Sequence, residues 1–176
     1  MSITHEQNVI LNVIKWNPGL GKTKLMKIIY MLQQVKKILL GYDFDIYTYG
    51  PYSSEVLEGL DELVAEGLVS SKMIKYPNYV GYELHLTKVG NEKLSNVRDD
   101  EEKAINDIIS FADKKNAKDL ELYSTIIFID EFYSRTNSGN GKAEVTQKVS
   151  ELKPCFDINI ISEAYRTLEK KGFLSA

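Results

Sequence analysis

YGPYSSEVLEGLDELVAEGLVS, Tyr49 to Ser70, carries a turn, a helix start and a helix stop in one short stretch. Gly50 and Pro51 are expected to end the extended run before them. Ser53 offers a hydroxyl to the free amides of a first turn, and Glu55 sets negative charge near the positive end of a helix. Val56, Leu57, Leu60, Leu63 and Val64 recur at three- and four-residue intervals and form one apolar stripe. Gly67 stands where a left-handed residue closes a helix. The opposite face is Glu55, Glu58, Asp61, Glu62 and Glu66, all acids.

Upstream, Thr4 and Gln7 have the spacing of a capping box, and Val9, Ile10, Val13 and Ile14 make a stripe that ends at Asn17-Pro18-Gly19. A second helix is expected from Lys22 to Lys37, with Leu25, Ile28, Ile29, Leu32 and Val35 inward and Lys22, Lys24, Lys27, Lys36 and Lys37 outward. Tyr42 to Tyr49 alternates as an extended segment. Downstream, Leu68 to Ile74 and Tyr82 to Leu86 read as two strands joined by Lys75 to Gly81. Three helices followed by a hairpin is the order of a winged helix, expected over residues 1–90.

Residues 91–176 are expected to be helical. Thr87 caps a short helix, and further helices run over about Glu101–Lys115, Leu120–Tyr133, Lys142–Leu152 and Asp157–Lys171. Asn137 to Gly141 is expected as a flexible loop, and Pro154 as a stop. The charge run Arg98 to Glu102 reads as a solvated first turn. Setting Gly67 against Gly172 aligns Val56, Leu60 and Leu63 with Ile161, Tyr165 and Leu168, the spacing of a second helix-turn-helix. The fold class is therefore mainly α with a small β-hairpin.

At 176 residues, 43% hydrophobic and 27% charged, the chain can bury one ordinary core or two small ones. No run approaches the ~20 apolar residues of a membrane span, and the start lacks a basic segment followed by an apolar one. A cytoplasmic protein without membrane contact is expected. Its single cysteine, Cys155, excludes an internal disulfide, and His5 and His85 are too few for a Cys/His metal set. Gly21-Lys22-Thr23 is not a phosphate loop, because Trp16 stands where that motif needs glycine. Cys155, flanked by Pro154 and Phe156, is read as a buried thiol. No catalytic residue, cofactor or metal is expected, and the chain is read as a non-enzyme.

Of eleven tyrosines, Tyr42, Tyr47, Tyr49, Tyr52, Tyr76, Tyr79 and Tyr82 fall before the third helix and along the hairpin. Exposed, they suit a binding surface, since tyrosine contributes much contact area at small entropic cost. Buried, they pack the hairpin.

Lys24-Leu-Met-Lys-Ile-Ile-Tyr30, Phe44, Tyr49-Gly-Pro-Tyr-Ser53 and the helix ending Glu66-Gly-Leu-Val69 resemble the YwgA-like group of bacterial and archaeal proteins. They are more distantly similar to the SocA-like Panacea antitoxin domain. The resemblance covers residues 5–90 best and Lys153-Pro154 to Gly172-Phe173 in part. It implies a winged-helix-like start and a regulatory or antitoxin-like role exercised by binding.

Two functions are consistent with these residues. In the first, a protein partner is bound through Tyr47, Tyr49, Glu55, Glu58, Glu62, Tyr76 and Tyr79. In the second, DNA is contacted by Lys22, Lys24, Lys27, Lys72 and Lys75. Net charge of −3 and the acidic third helix favour the first, because acids near phosphate repel instead of releasing counterions. The oligomeric state is left open, a homodimer included.

Overall fold

The computed structural model describes residues 2–136 and 141–175. The chain forms two units, one of Met1–Phe44 with Tyr52–Asn116, the other of Asp45–Pro51 with Ala117–Ala176. The expected division at residue 90 lies instead after Asn116. The cause is helix α5 (Asp99–Asp113), whose Ala104, Ile105, Ile108 and Ala112 are buried and which packs on α1 (His5–Trp16) and α2 (Lys22–Gln34).

In the first unit, α1 begins as read. Thr4 Oγ1 accepts the Gln7 amide at 3.2 Å, and Gln7 Oε1 accepts the Thr4 amide at 3.1 Å. Asn8, on the buried side of α1, exchanges two 3.1 Å hydrogen bonds with the Ser95 backbone, so a polar residue in the apolar stripe is satisfied.

Helix α2 is buried continuously from Leu25 to Leu32, because α1, α3 (Ser54–Ala65), α5 and β4 (Val80–Leu86) all pack on it. Lys27, expected outward, is only 2% exposed. One-stripe reasoning fails for a helix enclosed on several sides. Tyr30, at the end of the same run, packs edge-on against Phe44 with ring centroids 5.0 Å apart.

Helix α3 closes with Gly67 at φ +71°. The Leu68 amide donates to the Leu63 carbonyl at 2.9 Å, and the Gly67 amide to that of Val64 at 3.0 Å, a Schellman-type end. β3 (Val69–Lys75) and β4 pair antiparallel and turn at Pro77-Asn78, with Met73 opposite Tyr82. The Gly19 amide and the Leu20 carbonyl bond to the Leu84 carbonyl and amide at 2.8 and 3.0 Å. A short helix α4 (Lys88–Lys93) follows, capped by the Thr87 hydroxyl as expected.

In the second unit, α6 (Ala117–Thr136), α7 (Lys142–Leu152) and α8 (Ile158–Lys171) pack on one another. Ile126, Ile127 and Ile129 are buried, whereas Phe132 on the same helix is exposed. Helix α8 ends as α3 does, with Gly172 at φ +69° and the Phe173 amide on the Leu168 carbonyl at 3.0 Å. Buried Asp130 accepts the Ser175 amide at 2.7 Å. The loop expected at Asn137-Ser-Gly-Asn140 lies outside the described residues, and helix α7 begins directly after Gly141.

Gly50 and Pro51 do not end the extended segment. Gly50–Tyr52 is strand β2, paired with β1 (Asp45–Tyr47) around a Thr48-Tyr49 turn. Ser53 keeps the N-cap backbone position of α3, but its hydroxyl makes no cap bond. It is buried and has no hydrogen-bond partner among the described residues.

Two substitutions probe these contacts. Gly90 of α4 lies directly over the Leu68 carbonyl oxygen, leaving no room for a Cβ. Gly90→Ala should destabilise by about 2 kcal/mol in denaturant unfolding, as overpacking does. Ser53→Ala removes a buried hydroxyl that bonds to nothing and should raise stability by roughly 1 kcal/mol, since such a group carries its desolvation cost uncompensated. Loss of stability instead would mean that the hydroxyl caps α3 in solution.

Candidate functional site

The β1–β2 turn is set by backbone chemistry. Gly50 has φ +88°, a conformation that side-chain-bearing residues rarely adopt. It lies so close to α6 that a Cβ would sit 3.1 Å from Thr125 Oγ1 and 3.3 Å from the Glu121 carbonyl oxygen. Ser124 and Thr125 donate their hydroxyl protons back to the Leu120 and Glu121 carbonyls, both at 2.7 Å. Their side chains thereby form a low, satisfied floor under the glycine.

Lys153 fixes the turn from another side. It caps the end of α7 directly before Pro154 and is buried. Its ammonium pairs with Glu121 Oε1 at 2.6 Å and donates to the carbonyl oxygens of Thr48 and, at 3.4 Å, Tyr47. Three acceptors meet three ammonium protons, the condition under which a buried lysine is tolerated. At the turn held in this way Tyr47 is 60% exposed and Tyr49 68%.

Glu55, Glu58 and Glu62 of α3 are exposed as expected, together with Asp61 and Glu66. Part of that acidic face works within its own unit. Glu55 Oε2 accepts the Asp43 amide at 3.0 Å, Glu62 Oε2 the Gln7 amide side chain at 2.7 Å, and Asp61 Oδ1 the Lys22 ammonium at 3.3 Å. The same Lys22 ammonium lies 4.9 Å over the Tyr82 ring.

Tyr76 and Tyr79 are exposed and stack at 4.5 Å with a 17° interplanar angle, at the tip of the β3–β4 hairpin. Lys72 and Lys75 are exposed on β3, and Lys24 is half-buried. Of the candidate nucleic-acid residues, Lys27 is removed from the surface by its burial. Tyr42 and Tyr52 are half-buried. Burial first, and the charges of Glu6 and Glu55 second, push the Tyr42 phenol well above its ordinary range.

Glu101, expected in a solvated turn, is buried, with Oε1 3.2 Å from His5 Nε2 and 3.4 Å from the Arg98 guanidinium. It shares the i, i+4, i+7 face of Ile105 and Ile108, a spacing that marks it for the core. Cys155 is exposed, because it lies in the short link between α7 and α8 and not on a packed helix face. Sequence reasoning passed over Lys153 and Glu121. The available signal was Glu121, Ser124 and Thr125 at i, i+3, i+4, a polar face on an otherwise apolar helix.

Among the described residues, no group of three or more His, Cys, Asp or Glu side chains could hold a metal ion. No helix among them is long and apolar enough to cross a membrane.

No protein-family model matches the chain. Over 116 residues it is 31% identical to a protein of Bacillus subtilis (strain 168) named uncharacterized protein YwgA. The match supports a YwgA-like family. The matched stretch is 63% of this chain and 66% of the relative, just under two thirds of the relative's length.

Lys153→Met leaves Glu121 charged, buried and without its counterion, a loss of about 3–5 kcal/mol for a buried pair. Thermal and urea unfolding should show that loss. The Lys153→Met/Glu121→Leu double variant should recover a substantial part of it, because no uncompensated charge remains.

Proposed function

We propose that this chain is a non-catalytic regulatory protein that acts in the cytoplasm by binding another protein, in the manner of an antitoxin. The observation that carries this reading is the pair of exposed tyrosines on a turn whose carbonyls are held by a buried ion pair. An aromatic surface ordered before binding loses little entropy on association, so more of its contact energy appears as affinity. Neither Tyr47 nor Tyr49 gains stability for the fold in proportion to the area it leaves in water.

A winged-helix arrangement of residues 5–90 is part of the proposal. It is supported by the order α1, α2, α3, β3, β4 and by the Gly19-Leu20 segment bonded to β4 in the place of a third strand. The matching ends of α3 and α8 support reading α7 and α8 as a second helix-turn-helix. The likeness to the Panacea domain suggests a toxin as the partner, recognised by Tyr47 and Tyr49.

A DNA-binding regulator is the second reading, favoured by one observation: Lys72 and Lys75 are exposed on a strand that carries no acid. Lys22, in contrast, is already engaged by Asp61.

Affinity purification from the native host tests both. Tyr47→Ala/Tyr49→Ala should lose a protein that wild type and Lys72→Ala/Lys75→Ala both retain, with a melting temperature close to wild type. Retention of that protein by the tyrosine variant would overturn the first reading. Salt-sensitive binding to duplex DNA that Lys72→Ala/Lys75→Ala weakens across all sequences would establish the second.

A further inference from the structure

The β3–β4 hairpin has one edge bonded to another segment of the chain and one edge that is not. Backbone bonds join Leu68 to Thr87 and Tyr76 to Tyr79, so the alternate pairs between them, Ser70 with His85, Lys72 with Glu83 and Ile74 with Gly81, face each other across the ladder. The remaining residues point their amides and carbonyls outward. On β4 these are Val80, Tyr82, Leu84 and Leu86, of which Leu84 is bonded to Gly19 and Leu20. On β3 it is Ser71, Met73 and Lys75, and no segment of the described chain pairs with them. An edge of this kind is a template for another strand.

The side chains beside that edge are apolar and in water. Met73 is 54% exposed, its cross-strand neighbour Tyr82 40% and Val80 52%, and all three lie on one face of the hairpin.

We propose that two copies of this chain associate by antiparallel pairing of β3 with β3 of the second copy, centred on Met73. The register is selected by the sequence of the strand. Only residues of one parity have outward backbone groups, so Met73 meets Met73 and Ser71 meets Lys75 of the other copy. Lys72 then lies opposite Ile74, and no lysine opposes a lysine. Edge lysines commonly deter pairing through like-charge contact, and this register avoids it. Pairing Ser71 with Met73 would set Lys72 against Lys72. Pairing Met73 with Lys75 would break the apolar row.

In the centred register Tyr82, Met73, Met73 and Tyr82 run in one continuous line across four strands, each side chain covering the next. The contact is isologous and closes as a dimer, because each copy's β3 edge is occupied by that of the other. It does not depend on the Tyr47 and Tyr49 contact proposed above.

The test uses the full chain with Cys155→Ser as background. Met73→Cys should form an intermolecular disulfide under a mild added oxidant and run at twice the 20.0 kDa chain mass. The two Cα atoms of such a pair lie about 5.5 Å apart, within the range of a disulfide. Lys72→Cys, on the opposite face and facing Ile74, should cross-link far less. Met73→Lys should abolish the wild-type dimer in sedimentation while leaving the far-UV circular dichroism of the folded chain unchanged. A wild-type chain that sediments at one chain mass at high micromolar concentration overturns the proposal. A dimer that survives Met73→Lys and does not cross-link through Met73→Cys overturns it equally, since that dimer uses another face.

Discussion

An ammonium group removed from water needs oxygen on every side, and Lys153 finds it in Glu121, Thr48 and Tyr47. Burial of each ion costs several kcal/mol, which only good geometry and further hydrogen bonds offset. An apolar pair could fill the same volume. It would leave the turn carbonyls without this donor and the turn with no defined place over α6. The close approach of Gly50 to Thr125 and Glu121 works in the same direction. Together they convert a short two-stranded hairpin, marginal by itself in water, into a fixed platform.

In the first unit the corresponding constraint is the enclosure of α2. Four elements pack on it, so its turns between Leu25 and Leu32 have no solvent side. Much of the sequence signature that suggested a YwgA-like group serves this architecture. Tyr30 packs on Phe44, Gly50 permits a left-handed backbone, and Gly67 closes α3. The tyrosines left in water, at Tyr47, Tyr49, Tyr76 and Tyr79, stand apart from that role. Their exposure is what the proposed binding role draws on.

The acidic face of α3 shows how one set of residues divides between structure and surface. Asp61 and Glu62 reach back to Lys22 and Gln7, and Glu55 receives the Asp43 amide. Such exposed contacts contribute little individually, typically under about 1 kcal/mol. Their effect is to hold long side chains in place and to offset part of the negative charge of that face.

The β1–β2 hairpin was not legible in the sequence, whereas the order of the helices and of β3 and β4, the Thr4 and Thr87 caps, the Gly67 and Gly172 stops, the hairpin connection between Lys75 and Gly81 and the bounds of α7 were. Each is decided within about one turn of chain, by groups that satisfy one another locally. Whether Tyr47, Tyr49, Tyr76 and Tyr79 face water or pack the hairpin was left open by the sequence, and the Thr48-Tyr49 turn that presents the first two was not read from it. Which polar residues enter the interior was not legible either. Lys27, Glu101, Glu121 and Lys153 are buried and Cys155 is exposed, because burial depends on what distant segments bring to a side chain. Lys153 finds its acceptors 32 to 106 residues away in sequence, at Glu121 and Tyr47. Local pattern carries no record of such a meeting, and only the tertiary structure decided it.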